Sequence, residues 1–199
     1  MYKFFPHSEI RNIRIFYLLN IFTNAWFALP NWMFLMAKHL PKTEIGFIDA
    51  SALLLGMILE VPTGLISDVF GKKRTLILGN LCIGVGAILT GFSTTFFSFL
   101  LWNCLILAGF AFNSGSFEAF AYDSLVEKGK EKEYGKVIST STSLGIAMAF
   151  LSIFIGGILF STDARLPLIV AGVSYLLAVV VLLFSKEPSI DTQHITLQS

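Results

Sequence analysis

Glu60-Val61-Pro62-Thr63-Gly64-Leu65-Ile66-Ser67-Asp68-Val69-Phe70-Gly71-Lys72-Lys73-Arg74 sets a carboxylate inside an apolar run and closes that run with an Asp, a Gly and three consecutive cations. An ionisable group in such a helix is costly, so its surroundings matter. At helical spacing its neighbours are Gly56, Thr63, Gly64 and Ser67, a small and polar stripe of the kind that packs on protein rather than lipid. Pro62 removes a backbone donor and frees the Ile58 carbonyl, which adds local polarity. Two roles fit Glu60: a proton or cation carrier, or a carboxyl buried at a helix contact and hydrogen-bonded to a neighbour.

The same apolar character extends over the chain. Of 199 residues, 55% are hydrophobic and 14% charged, and the mean hydropathy is +0.75, well outside the range of a soluble domain. An integral membrane protein is expected. The formal net charge of +1 points to neither nucleic acid nor acidic partners. Cys82 and Cys104 belong to successive antiparallel apolar runs at different depths, so they read as small apolar fillers rather than a disulfide.

Runs of about 20 apolar residues suffice to cross a bilayer. Ile15 to Ala37 is one, and Ile45 to Ser67, with Asp49 near its start and Glu60 inside, is the next. Thr75 to Phe117 is free of charge but too long for one crossing, and Gly91-Phe92-Ser93-Thr94-Thr95 supplies a turn that splits it. Val137 to Thr162 and Leu166 to Ser185 complete six spans. The first run is too long for a secretory leader, is interrupted by Asn20, Asn24 and Asn31, and lacks a small-residue cleavage site. With the N-terminus inside, Lys3, Arg11, Arg14, Lys72, Lys73, Arg74, Lys128, Lys130, Lys132, Lys136 and Lys186 are cytoplasmic, and Lys38, Lys42 and Arg165 lie outside. That bias places both termini in the cytoplasm.

Gly64, Asp68, Gly71, Lys72 and Lys73 fall at the spacing of the signature loop of the major facilitator superfamily (MFS) of secondary transporters, which this chain resembles. One position departs, since the family's Arg after the Asp is Val69 here. Glu60-Val61-Pro62-Thr63 and Glu118-Ala119-Phe120-Ala121-Tyr122-Asp123-Ser124-Leu125 resemble a common bacterial subgroup of it. The resemblance implies an all-α bundle of six transmembrane helices in a 3+3 inverted repeat, the N-terminal half of a twelve-helix fold. Residues 1–185 would form that half bundle, and 186–199 a polar cytoplasmic tail that begins the central loop. It also implies that Asp123, at the cytoplasmic end of the fourth span, joins Gly64, Asp68, Gly71, Lys72 and Lys73 in a charge cluster that holds the outward-facing arrangement. A drug-antiporter signature is missing, because Ser152 and Ile153 stand where a Gly-Pro would precede Gly156-Gly157.

Glu118 and Asp123 are five residues apart, hence about 140° around a helix, so they do not form an acid pair. Asn20, Asn24 and Asn31 fall within about 20° of one face of the expected first helix. Polar groups at that spacing either hold helices together or line a watery cavity. First helices of the superfamily line its central cavity, so these three join Glu60, Asn103, Asn113 and Glu118 as candidates for the substrate or ion path. No phosphate-cradling loop, metal-ligand set or nucleophile-base set is visible, so neither cofactor nor catalysis is expected. The expectation is half of a secondary active transporter in a bacterial cytoplasmic membrane, moving a small solute and pairing with a second six-helix half or another copy of itself. The alternative is a non-transporting six-span scaffold.

Overall fold

The computed structural model describes residues 5–188, so Lys3, His194 and most of the expected tail lie outside the described residues. Among those described, the protein is helical: α1 (Arg11–Thr23), α2 (Trp32–Met36), α3 (Lys42–Phe70), α4 (Lys72–Gly91), α5 (Phe96–Val126), a 3₁₀ turn (Glu131–Glu133), α6 (Tyr134–Thr162) and α7 (Leu166–Leu183). α3 to α7 are long and apolar enough to cross a membrane, five unbroken candidates in place of the six expected. The turn that splits the charge-free run falls between α4 and α5. There Thr95 caps α5, accepting from the Ser98 N–H at 3.3 Å while the Ser98 hydroxyl oxygen accepts from the Thr95 N–H at 3.2 Å.

The missing continuous span is the first one, which breaks after Thr23 and resumes as helix only at Trp32. Three local causes combine. Thr23 and Asn24 turn their side chains back on the preceding carbonyls of Leu19 and Asn20, offering the backbone an alternative to helix. Pro30 then has no N–H to donate and disfavours helical geometry at Leu29. Finally, α7 supplies donors to the carbonyls at the break: Ser174 Oγ donates to Phe22 O at 2.8 Å and Tyr175 Oη to Thr23 O at 2.7 Å. Without those donors the break would be prohibitive in hydrocarbon.

α4 is the central column. Its Gly79 and Gly84 are five residues apart, so they face different neighbours, and each meets a glycine of the facing helix. A Cβ at Gly109 on α5 would stand 2.6 Å from Gly79 O, and one at Gly172 on α7 would stand 2.6 Å from Gly84 O. Backbones approach this closely only where side chains are absent. α3 attaches through hydroxyls: Thr63 Oγ1 lies 3.0 Å from Ala111 O on α5, and Ser116 Oγ donates to Ser67 Oγ at 2.8 Å.

α6 is held to the broken first span. Asn31 Nδ2 donates to Gly156 O at 3.1 Å, and a Cβ at Gly156 would fall 2.0 Å from Phe27 O. α4 and α7 bury 56% and 50% of their apolar windows, whereas α3 and α6 bury 17% each, so the last two carry the bundle's bare surfaces. Met57, Ile58, Val61 and Leu65 on α3 and Ile146, Phe150 and Phe154 on α6 are exposed. At the other end, Glu9 ties the N-terminal segment to Lys130 at 3.1 Å. Its own backbone N–H and Lys130 hold the Glu9 carboxyl below the usual carboxylate range. That tie is therefore intact at neutral pH and is lost only as acid protonates the carboxylate.

Gly156→Ala forces a methyl onto an immovable carbonyl and should destabilise the bundle by about 1–3 kcal/mol. Gly157 has nothing within 4 Å of its would-be Cβ, so Gly157→Ala should leave stability unchanged or raise it. Thermal melts of the two variants in detergent check this; equal melting temperatures would contradict the contact.

Candidate functional site

Two neighbouring cavities run along the inner faces of α1 and α5. The larger set of walls surrounds a chamber of about 380 Å³ that includes Trp26, Trp32, Asp49, Asn103, Phe110 and Tyr175. A second chamber of about 400 Å³ is lined by Asn113, Ser114, Phe117 and Glu118. Thr23, Asn24, Phe110 and Tyr175 belong to both. From Asn103 to Glu118 is 15 residues of one helix, or about 22 Å, so the chambers lie end to end.

The helix break shapes the junction of the two chambers. Because Tyr175 donates to Thr23 O, its ring is fixed beside the break, and Trp26 and Phe110 pack on it at ring-centre distances of 5.7 and 6.3 Å. Asn24 Nδ2 lies 2.8 Å from both Asn20 O and Asn20 Oδ1, which holds its amide at the shared wall. Asn103 is buried, and its Nδ2 has no hydrogen-bond partner among the described residues. In the second chamber the Tyr134 hydroxyl donates to Glu118 Oε2 at 3.4 Å.

The three asparagines of the first run do not share a helical face. Asn24 lines both chambers, whereas Asn20 is buried and lines neither. Asn31 lies beyond the break, at the start of α2, and spends its amide on Gly156 O. A uniform helical wheel cannot survive a broken helix. Asn103 joins the first chamber, and Asn113 and Glu118 the second.

Glu60 also differs from the buried carboxyl entertained as one of its roles. Thr63 and Ser67 are buried against α5, but Glu60 sits about 40° off the line from Gly56 and is exposed, with no partner for its carboxylate among the described residues. The α3 seam is held by the hydroxyls, not by the acid. Pro62 leaves α3 unbroken, and Thr63 Oγ1 lies 2.7 Å from Leu59 O in the same turn.

At the opposite end from Asp49, the signature loop is a compact joint. Lys72 Nζ pairs with Asp68, and the Lys72 side chain is buried while Asp68 stays exposed. Lys73 serves a different element: its Nζ donates to Ser185 O at 2.7 Å and Leu183 O at 3.2 Å, capping the end of α7. Its N–H donates to Glu187 Oε1 at 3.0 Å, so a carboxylate sits on the N-terminus of α4, where the helix dipole favours it. Asn12 completes the joint, donating to Ser124 Oγ and Lys186 O at 2.9 Å and accepting from Lys186 N–H at 3.0 Å. Asp123 stands half-buried near the end of α5, and Gly64 packs 3.9 Å from where a Cβ of Gly115 would be.

A helical membrane bundle with this loop joint agrees with the family comparison, in which the model of the Major Facilitator Superfamily matches residues 15–196. The chain belongs to that superfamily. It is similar to the lactose permease of Klebsiella oxytoca, 31% identical over 83% of this chain and 40% of the permease. It also resembles uncharacterized MFS-type transporters of Bacillus subtilis, 24% identical over 96% of this chain and 45% of the relative, and of Methanocaldococcus jannaschii, 28% identical over 69% and 35%. The chain spans under half the length of these curated relatives. MFS membership and the five apolar helices make this a multi-pass membrane protein of a transporter family.

Trp26, Tyr175, Asn12, Asn80 and Glu187 escaped the sequence reading. Asn80 is one of three asparagines in the charge-free run, and its Nδ2 lies 2.7 Å from Leu76 O and 3.3 Å from Asn113 Oδ1. Asn12, Tyr175 and Glu187 carry no local signal, because their value lies in partners 112 or more residues away in the chain.

Gly71 is held at φ +95°, and a Cβ there would stand 2.6 Å from the Glu187 carboxyl carbon. Gly71→Ala should therefore cost about 1–3 kcal/mol in backbone strain and displace Glu187. Gly135→Ala, at an open position, serves as control. A melting temperature for Gly71→Ala equal to that of the control would contradict the joint.

Proposed function

We propose that this chain is the N-terminal six-span half of a secondary active transporter that moves a small solute by alternating access. In this arrangement α1 and α2 together make the first span, α3 to α7 the other five, and the spans form two inverted three-helix units. The observation that carries it is the pair of chambers meeting at Asn24, Phe110 and Tyr175: a passage along the bundle whose largely apolar walls carry a few amides and acids is what translocation needs and a scaffold does not. Asn24, Asn103, Asn113 and Glu118 are its polar contacts. Asp68, Lys72 and Asp123 act as the cytoplasmic charge cluster that steadies one conformation, with Gly64, Gly71 and Lys73 shaping it. The exposed apolar faces of α3 and α6 take a second six-helix unit, which would also cover Glu60. The lactose permease relative makes a sugar one candidate solute.

Orientation follows the cations, with both termini and the loops around Lys73 and Lys130 in the cytoplasm. In a background without Cys82 and Cys104, cysteines at Gly129 and Lys42 should label from opposite sides of the membrane with an impermeant reagent. Labelling of both from one side would reverse this.

The chain alone should not carry flux. Reconstituted in liposomes, it should cross-link to a partner unit or a second copy through a cysteine at Val61, which is 75% exposed on α3. Solute flux by a population shown to be monomeric would overturn the half-transporter proposal.

A further inference from the structure

The two chambers share an unusual balance of charge. Asp49 in the first and Glu118 in the second are the charged residues among their described walls, and no Lys, Arg or His joins them. Asp49 is half-buried and has no ion-pair or hydrogen-bond partner among the described residues. A passage with acids at either end and no cation repels anions and draws cations toward it.

Aromatic rings supply the rest of the selection. Trp26 and Tyr175 lie at 83° with centres 5.7 Å apart, Phe110 and Tyr175 at 85° and 6.3 Å, and Trp26 and Phe110 at 64° and 6.0 Å. All three rings also line the first chamber, and a ring face open to it attracts a cation within about 6 Å of its centre. Trp32 adds a fourth ring to the same chamber as Asp49. Asn103, buried and with an unpaired Nδ2 in that wall, offers a donor to an oxygen on the same ligand.

We propose that the passage selects an organic cation, an amine or quaternary ammonium bearing an oxygen acceptor, seated between Asp49 and the rings of Trp26, Trp32, Phe110 and Tyr175. The proposal rests on the solute-passage assignment and names the substrate class for it. A neutral sugar satisfies the amides but leaves the carboxylate without a counter-charge.

Two of the three tryptophans, Trp26 and Trp32, line the chamber, so intrinsic fluorescence of the purified chain in detergent reports binding there. Choline and benzyltrimethylammonium should change that emission saturably, and 3,3-dimethylbutan-1-ol, the uncharged isostere of choline, should bind at least about tenfold more weakly. Asp49→Asn should weaken both cations about tenfold or more, while Asp49→Glu keeps binding within about threefold. Should Asp49→Asn fail to give a monodisperse protein, Phe110→Leu, at a 38% exposed ring, should weaken the cations several-fold and leave the isostere unaffected. Equal affinity for choline and its isostere, or no response to either cation, would overturn the proposal. Lactose binding without cation binding would also overturn it while leaving the transport proposal intact. Cation binding by a chain that carries no flux even when paired with a second half would uphold it and count against transport.

Discussion

A helix that stops inside a membrane must hand its orphan carbonyls to other donors, and the arrangement of this bundle depends on how that is done. Phe22 O and Thr23 O are taken by Ser174 and Tyr175 of α7, and Gly156 O of α6 is taken by Asn31 beyond the break. The two α7 bonds reach carbonyls that a continuous first helix would have satisfied internally, whereas the Asn31 bond docks the segment beyond the break on α6. They also fix the Tyr175 ring where the two chambers meet. The break is thus both the weak point of the first span and the feature that opens a wall around Asn24.

How legible this was differs by the range of the interactions. The charge-free run from Thr75 to Phe117, its polar turn and the spacing of Gly64, Asp68, Gly71, Lys72 and Lys73 are local signals, and α3, α4 and α5 follow them closely. Pro30 was visible too, but a lone proline does not say whether a membrane helix kinks or stops. That outcome turns on α7 donors more than 150 residues away in the chain, at positions with no local signature. Glu60 failed for a related reason: a helical wheel locates the seam to within a few tens of degrees, and the acid sits at its edge, on the bare side.

The loop joint shows a division of labour that its row of cations conceals. Lys72 and Lys73 are adjacent, so they point about 100° apart, and each meets a different helix end. Lys72 is buried with Asp68 for a partner, while Lys73 closes the C-terminus of α7 and presents its N–H to Glu187. Glu187 in turn requires Gly71, since a side chain there would occupy its place. One turn of sequence therefore ties α3, α4 and α7 at the same end of the bundle.

The strength of that joint contrasts with the loose margins. α4 is clamped backbone to backbone on two sides through glycines, so the middle of the bundle has little room to shift. α3 and α6 are attached by narrow seams of small and hydroxyl residues and leave most of their apolar surface unpacked. Lipid can cover Met57, Ile58 and Val61 at no cost, because hydrocarbon is as apolar as they are. It cannot do the same for Glu60, which shares that side of α3 and finds no carboxylate partner among the described residues. An acid on an otherwise lipid-compatible face is the physical reason to expect that protein or water, rather than lipid alone, meets α3 in the membrane.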